Sequence, residues 1–234
     1  MIARRSALVL LGVVLMAAPA LAQTKPKTDW ANTVTATPSG ILIGNPAARI
    51  KLVEFASYSC GHCKTFHEVG LPALKANYIA SGAVSFEQRS FVRNGPDFAA
   101  SLMVACQPPR AGLSFAGKLF AEQEAWFGKF IALTPEDNQA VAALPQEQQP
   151  AALAQRAGLD TWAAANGLPL ARSKVCLADK AAQDKLLAIR KEAIEKFELK
   201  GTPAFGINGV SVADVYDWDN LEPKLQAALK SPKP

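Results

Sequence analysis

The sequence predicts an α/β protein, with a mixed central sheet interrupted by an inserted all-helical subdomain. Three observations carry that expectation. Residues 49–92 read as strand, helix, strand; residues 97–199 hold no convincing strand; and "TPAFGINGVSV" at 202–212 returns to strand before a last helix.

Each element follows from its residues. Residues 23–40 are polar and carry Thr, Lys and Pro, as a short mobile lead-in would. "ILIGNP" at 41–46 reads as an edge strand closed by a Gly-Asn-Pro turn. "RIKLVEFAS" places Ile50 and Leu52 on one face and Val53 and Phe55 on the other, the pattern of a central strand covered on both sides. A helix from Cys60 to about Ile79 follows, with Phe66, Val69, Ala73 and Leu74 near helical spacing and a kink expected at Pro72. "AVSFEQRSFV" at 83–92 is the next strand, and a right-handed crossover makes the pair parallel.

Proline and glycine stops divide the helical block into 97–106, 112–129, 136–143, 150–157, 159–166, 170–178 and 180–199. In the last of these Leu186, Ile189, Ala193, Ile194 and Phe197 form one apolar stripe. Asn208-Gly209 between apolar runs signals a hairpin, and a final helix spans about 218–229. The expected organisation is therefore a sheet domain at 41–96 and 180–230, a helical insertion at 97–179 and a tail at 231–234.

Residues 1–22 look like a secretory signal. Arg4 and Arg5 lead into an apolar core at Ala7–Ala18, and Ala20-Leu21-Ala22 is a small-x-small cleavage site. Twelve apolar residues fall short of the ~20 that a spanning helix needs. Export to the periplasm is the expectation. Without those residues 23 basic side chains face 20 acidic ones, too mild an excess to imply nucleic acid. Half the residues are hydrophobic, enough for a real core.

An exported chain meets an oxidising compartment. Its four cysteines, Cys60, Cys63, Cys106 and Cys176, allow three pairings, of which one joins the close pair to itself. At the start of a helix, unsatisfied N–H groups and the helix dipole favour a thiolate at Cys60. Gly61 leaves that sulfur accessible, and His62, if protonated, adds positive charge beside it. Cys63, one turn on, can attack a mixed disulfide and release the product. Two other readings stand beside this redox one. A structural zinc needs four ligands, and only Cys60, Cys63 and His62 or His67 are local. A structural disulfide across so short a loop would constrain the unfolded chain little.

Two further features bear on the pair. Glu54 puts a carboxylate into an apolar strand, which is costly unless it is used or paired. Beneath the cysteines it can take the proton of Cys63; otherwise it reaches the strand edge or meets a lysine. Pro203, at the start of a strand, is unusual outside a special geometry. A cis peptide after Thr202 would set that loop against the cysteines, where the Thr202 backbone can pair with an extended substrate.

Together CGHC after a strand carrying Glu54, a helical insertion and then TPAF-x-x-NG resemble the DsbA-type thiol:disulfide oxidoreductases of the thioredoxin fold. The resemblance covers roughly residues 41–230. It implies Cys60 as nucleophile, Cys63 as resolving thiol, Glu54 as buried acid and Pro203 as the cis-proline after Thr202. It implies a monomeric oxidase without cofactor or metal. Its partners would be reduced or misoxidised exported polypeptides and a membrane redox partner. Two departures leave direction open: the family's oxidases carry Pro-His where Gly61-His62 stands, and Thr202 matches its isomerase branch. Isomerase or reductase activity is the alternative, followed by a metal carrier or a peptide holdase without redox turnover.

In an exported chain Cys106 and Cys176 are expected to form a structural disulfide, against the alternative of two buried thiols. His67 reads as a surface or packing residue, and Trp126 and Phe127 as packing of the insertion.

Overall fold

The computed structural model describes residues 28–231. The signal-like stretch at 1–22 lies outside the described residues, as do residues 232–234 of the tail. Six strands are described: β1 (Val34–Ala36), β2 (Ile41–Gly44), β3 (Ile50–Ala56), β4 (Val84–Ser90), β5 (Ala204–Ile207) and β6 (Val210–Val212). They form one sheet in the order β1-β2-β4-β3-β5-β6. β3 and β4 run parallel, as the crossover requires, and every other neighbouring pair is antiparallel.

β3 is central and covered on both faces. Ile50 and Leu52 join a core with Phe66, Leu74, Phe86, Phe205 and Leu221, while Val53 and Phe55 join another with Phe91 and Ala193. Because side chains alternate along a strand, Glu54 points to the same face as Ile50 and Leu52, toward the helical run that follows β3. The 23–40 lead-in corrects the sequence reading, because it holds β1 as an edge strand. Val34 pairs with Ile43, and the Thr37 side chain accepts from the Gly40 N–H at 2.8 Å, closing the turn into β2.

The run after β3 comprises α1 (Gly61–Thr65), a π-helical turn at Phe66–Gly70, α2 (Leu71–Leu74) and a second π-helical turn at Lys75–Ile79. The Leu71 N–H donates to Phe66 O, five residues back, just before Pro72, which has no N–H to give to the ladder. The wide turn changes which residues face inward. Gly70 is buried beside Phe66, whereas Val69, expected in the apolar stripe, is 61% exposed. A side chain at Gly70 would stand 2.6 Å from the Phe66 ring and 3.0 Å from Trp218.

The helical block holds α3 (Gly95–Ala105), α4 (Pro109–Ala121), α5 (Gln123–Ile131), α6 (Pro135–Ala142), α7 (Gln149–Arg156), α8 (Leu159–Ala165) and α9 (Leu170–Ala178). The single helix expected at 112–129 breaks at Glu122, whose φ of −105° and ψ of 27° leave the helical region. The break lets Trp126 turn inward, where its Nε1–H donates to Leu119 O at 2.7 Å. α10 (Lys180–Phe197) returns to the sheet and α11 (Trp218–Lys230) closes the fold. On α10, Leu186, Ile189 and Ala193 are buried and the Phe197 ring meets Phe55 at 4.9 Å. Ile194 leaves the expected stripe and is 40% exposed, because it follows the buried Ala193 by about 100° of helical rotation. Cys106 and Cys176 are bonded to each other, tying α9 to the residue after α3. Tyr58, Cys60 and Cys63 pack into the core of this helical block.

Candidate active site

β3 delivers the chain to residues 57–60, and α1 begins at the next residue. Since β5 runs antiparallel to β3 with Phe55 opposite Ala204, residues 202–203 lie at the same end of the sheet. That topology brings Cys60 and the Thr202-Pro203 loop together from positions 142 residues apart. The Thr202-Pro203 peptide is cis.

Cys60 is the N-cap of α1 and is almost wholly buried. Its Sγ lies 3.1 Å from the Thr202 carbonyl oxygen, to which the thiol donates. Its ionisation is pulled down to about 5, chiefly by a hydrogen bond from the Cys63 thiol. Thr202 and the backbone N–H groups of His62 and Cys63 add to this, against the cost of burial. The Thr202 hydroxyl is itself buried and has no hydrogen-bond partner among the described residues, so it is free to turn toward the sulfur. Cys63 is the opposite case. It is fully buried, with only the Ser57 N–H donating to its sulfur at 3.5 Å. Burial, the Cys60 sulfur and the negative charge of Glu54 together hold its thiol well above the ordinary range.

The two residues between them take little part through their side chains. Gly61 is exposed, and a Cβ there would meet nothing within 4 Å, so packing does not demand glycine. The His62 side chain is exposed as well, and its backbone N–H faces Cys60.

Glu54 is fully buried on β3. It reaches neither a strand edge nor a lysine; its Oε2 lies 2.8 Å from His67 Nε2. Its Oε1 has no partner among the described residues. His67, expected at the surface or in packing, is thus part of the site. It stacks on Phe120 with ring centroids 4.1 Å apart, and its side chain is only 6% exposed. The signal for it was present in the sequence. His67 stands four residues after Cys63, on the same face of a helix, below a strand carboxylate in need of a partner.

Asp97 and Gln123 also went unread. Asp97, fully buried on α3, accepts from the Tyr58 N–H at 2.7 Å and the Arg93 N–H at 2.9 Å. Burial raises its carboxyl to about 6 against those bonds. The Gln123 side-chain amide donates to Tyr58 O at 2.7 Å and Cys60 O at 3.1 Å. The helical insertion thereby holds the loop that presents Cys60. Their bonds to the cysteine loop span 39 and 63–65 positions, too far for a local motif to show them.

Among the described residues no three His, Cys, Asp or Glu side chains converge as metal ligands. The arrangement offers one sulfur at a helix N-terminus that is ready to ionise, and a second, fully buried, held as a thiol. That asymmetry suits thiol–disulfide exchange.

A thioredoxin family model matches residues 36–227. The chain belongs to the thioredoxin family. It is similar to the solved protein-disulfide isomerase from Novosphingobium aromaticivorans, with 32% identity, a TM-score of 0.77, and 81% of this chain and 97% of that chain covered. Wolbachia pipientis alpha-DsbA1 shares the fold at 21% identity and a TM-score of 0.64, over 86% of this chain and 96% of that one. A Rickettsia bellii relative named "Putative protein-disulfide oxidoreductase" is 23% identical over 196 residues, 82% of this chain. The chain spans 66% of that relative's length and 62% of the length of its Rickettsia typhi counterpart. The α/β reading, with a helical block inside a thioredoxin fold, therefore holds.

Proposed function

We propose that this protein is a DsbA-like thiol:disulfide oxidoreductase that passes the Cys60–Cys63 disulfide to cysteines of exported polypeptides. The observation that carries the reading is the unequal treatment of the two sulfurs: Cys60, at the N-cap of α1, is favoured as a thiolate chiefly by the Cys63 thiol, and the fully buried Cys63 is kept protonated.

In this reaction a substrate thiolate attacks Cys60 Sγ. The Cys60–Cys63 bond breaks, and Cys63 leaves and takes a proton. A second substrate thiolate then attacks the substrate sulfur of the mixed disulfide, and Cys60 leaves as a stabilised thiolate. Two electrons pass from substrate to enzyme, and the substrate gains its disulfide. A good leaving group at Cys60 favours this direction. The Thr202 backbone beside Cys60 is the natural register for an extended substrate segment. Regeneration needs a partner disulfide, which we assign to a membrane redox protein. The signal-like residues 1–22 support a periplasmic site of action, and we take the working form to be a monomer. The Cys106–Cys176 bond is read as a structural staple.

The test is oxidation of a reduced two-cysteine peptide by the oxidised protein. Stoichiometric oxidation is expected, with none from Cys60→Ser, and a Cys60→Ser variant that still oxidised the peptide would overturn the reading. A second reading, disulfide isomerisation, is favoured by the likeness to the Novosphingobium isomerase. Recovery of a scrambled protein by the reduced form, without added oxidant, would select it.

A further inference from the structure

We propose that His67 is a proton outlet for the buried cysteine, a positioning residue that acts through Glu54 to carry the Cys63 proton to solvent. The inference rests on the exchange reading above and extends it to a residue outside the Cys60–Cys63 motif.

His67 is bonded to Glu54, whose charge acts on Cys63. Cys63 is fully buried and feels the charge of Glu54, and a thiol there cannot lose its proton directly to water. Glu54 is equally closed off, with one oxygen unpartnered and the other on His67 Nε2 at 2.8 Å. His67 is the only hydrogen-bond partner of the Glu54 carboxyl among the described residues. The His67 ring is fixed by stacking on Phe120 and by the edge of Phe66 at 5.8 Å. On its outer side it borders a surface cavity of about 240 Å³ shared with Leu71, Lys75, Leu113 and Phe120. The charged groups around the ring are Glu54 from β3, and Glu68 and Lys75 from its own helical run; β2 and α4 face it with the uncharged Ile43, Leu113 and Phe120.

The step it serves is resolution of a mixed disulfide at Cys60. The Cys63 proton passes to Glu54, and the Cys63 sulfur bonds to Cys60 Sγ. The bond from Cys60 to the bound sulfur breaks, and the released thiolate takes a proton from water. Glu54 hands its proton to His67 Nε2, and the imidazole releases one from its other nitrogen into the cavity. Two electrons move from the cysteine pair to the incoming disulfide. A buried carboxylate that received protons without an outlet would stay protonated and stop serving as base.

The experiment is single-turnover reaction of the reduced full chain with glutathione disulfide. It separates formation of the Cys60 mixed disulfide from release of the second glutathione. His67→Gln keeps a donor for Glu54 but cannot relay. It is expected to slow the second step at least about tenfold and leave the first unchanged. His67→Ala should regain that step in proportion to added imidazole, while the natural protein ignores it. Release at the natural rate in His67→Gln, or no response of His67→Ala to imidazole, overturns the relay. If His67→Ala does not fold, the His67→Gln rates decide alone. Failure of the unaltered protein to form the Cys60 mixed disulfide at all would be a separate result, sinking the exchange reading itself.

Discussion

Cys60 and Cys63 are the same side chain three residues apart, yet their surroundings drive their ionisation in opposite directions. Cys60 is held near 5, so its thiolate is present above that value and lost as pH falls through it. Alkylation of the reduced protein by iodoacetamide should therefore stay fast from pH 8 to 6 and fall to half near 5, with Cys63 unlabelled. Mass mapping against pH checks this; a rate that declines already between pH 9 and 8 would refute the assignment. Asp97 offers a second prediction. Each of its oxygens accepts a backbone N–H. Asp97→Asn sets an amide donor against one of them and should cost about 1–3 kcal/mol in urea unfolding. At this scale the cysteine pair, Glu54 and Thr202-Pro203 were legible because each breaks a local rule: two thiols at a helix start, a charge in an apolar strand, a proline directly before a strand. Asp97 breaks none, as its role exists only after the loop folds over it. His67 was readable only through the unmet need of Glu54.

Between residue and whole lie the elements that position them, and here periodicity misled in two places. The π-helical turn at Phe66–Gly70 puts Gly70 inside and Val69 outside, which an ordinary 3.6-residue count cannot anticipate. The break at Glu122 divides one expected helix into α4 and α5, although the sequence there has neither proline nor glycine. Tertiary contacts favour that break, since it seats Gln123 under the cysteine loop and Trp126 in the core. Gln123→Ala removes both amide bonds and leaves Tyr58 O short of a partner. The expected cost is about 1–3 kcal/mol, with faster amide exchange confined to residues 57–61. Hydrogen-exchange mass spectrometry reads the second part, and unchanged exchange in that segment would show that α5 does not hold the loop.

Across the whole molecule the order of elements was legible because it needs only alternation, stop signals and the crossover rule. The edge strand β1 was not, since Val34–Ala36 sits among polar residues and gains its partners only from β2. The Cys106–Cys176 bond closes a separation of 70 residues in the helical block. Replacing both with alanine should lower stability by up to about 4 kcal/mol. Peptide oxidation should be untouched, since among the described residues neither side chain hydrogen-bonds to the Cys60 loop. Thermal melts with the peptide assay separate the two effects, and lost oxidation in a folded variant would contradict a purely structural bond. The central claim is that the fold stabilises reduced Cys60 enough to make the protein a disulfide donor. Its most direct test is the reduction potential of Cys60–Cys63 in glutathione buffers, measured in that same double-alanine variant. The account predicts a value between about −120 and −180 mV, the range of strong oxidases and isomerases; a value near about −270 mV would mean a thioredoxin-like reductant and would contradict it.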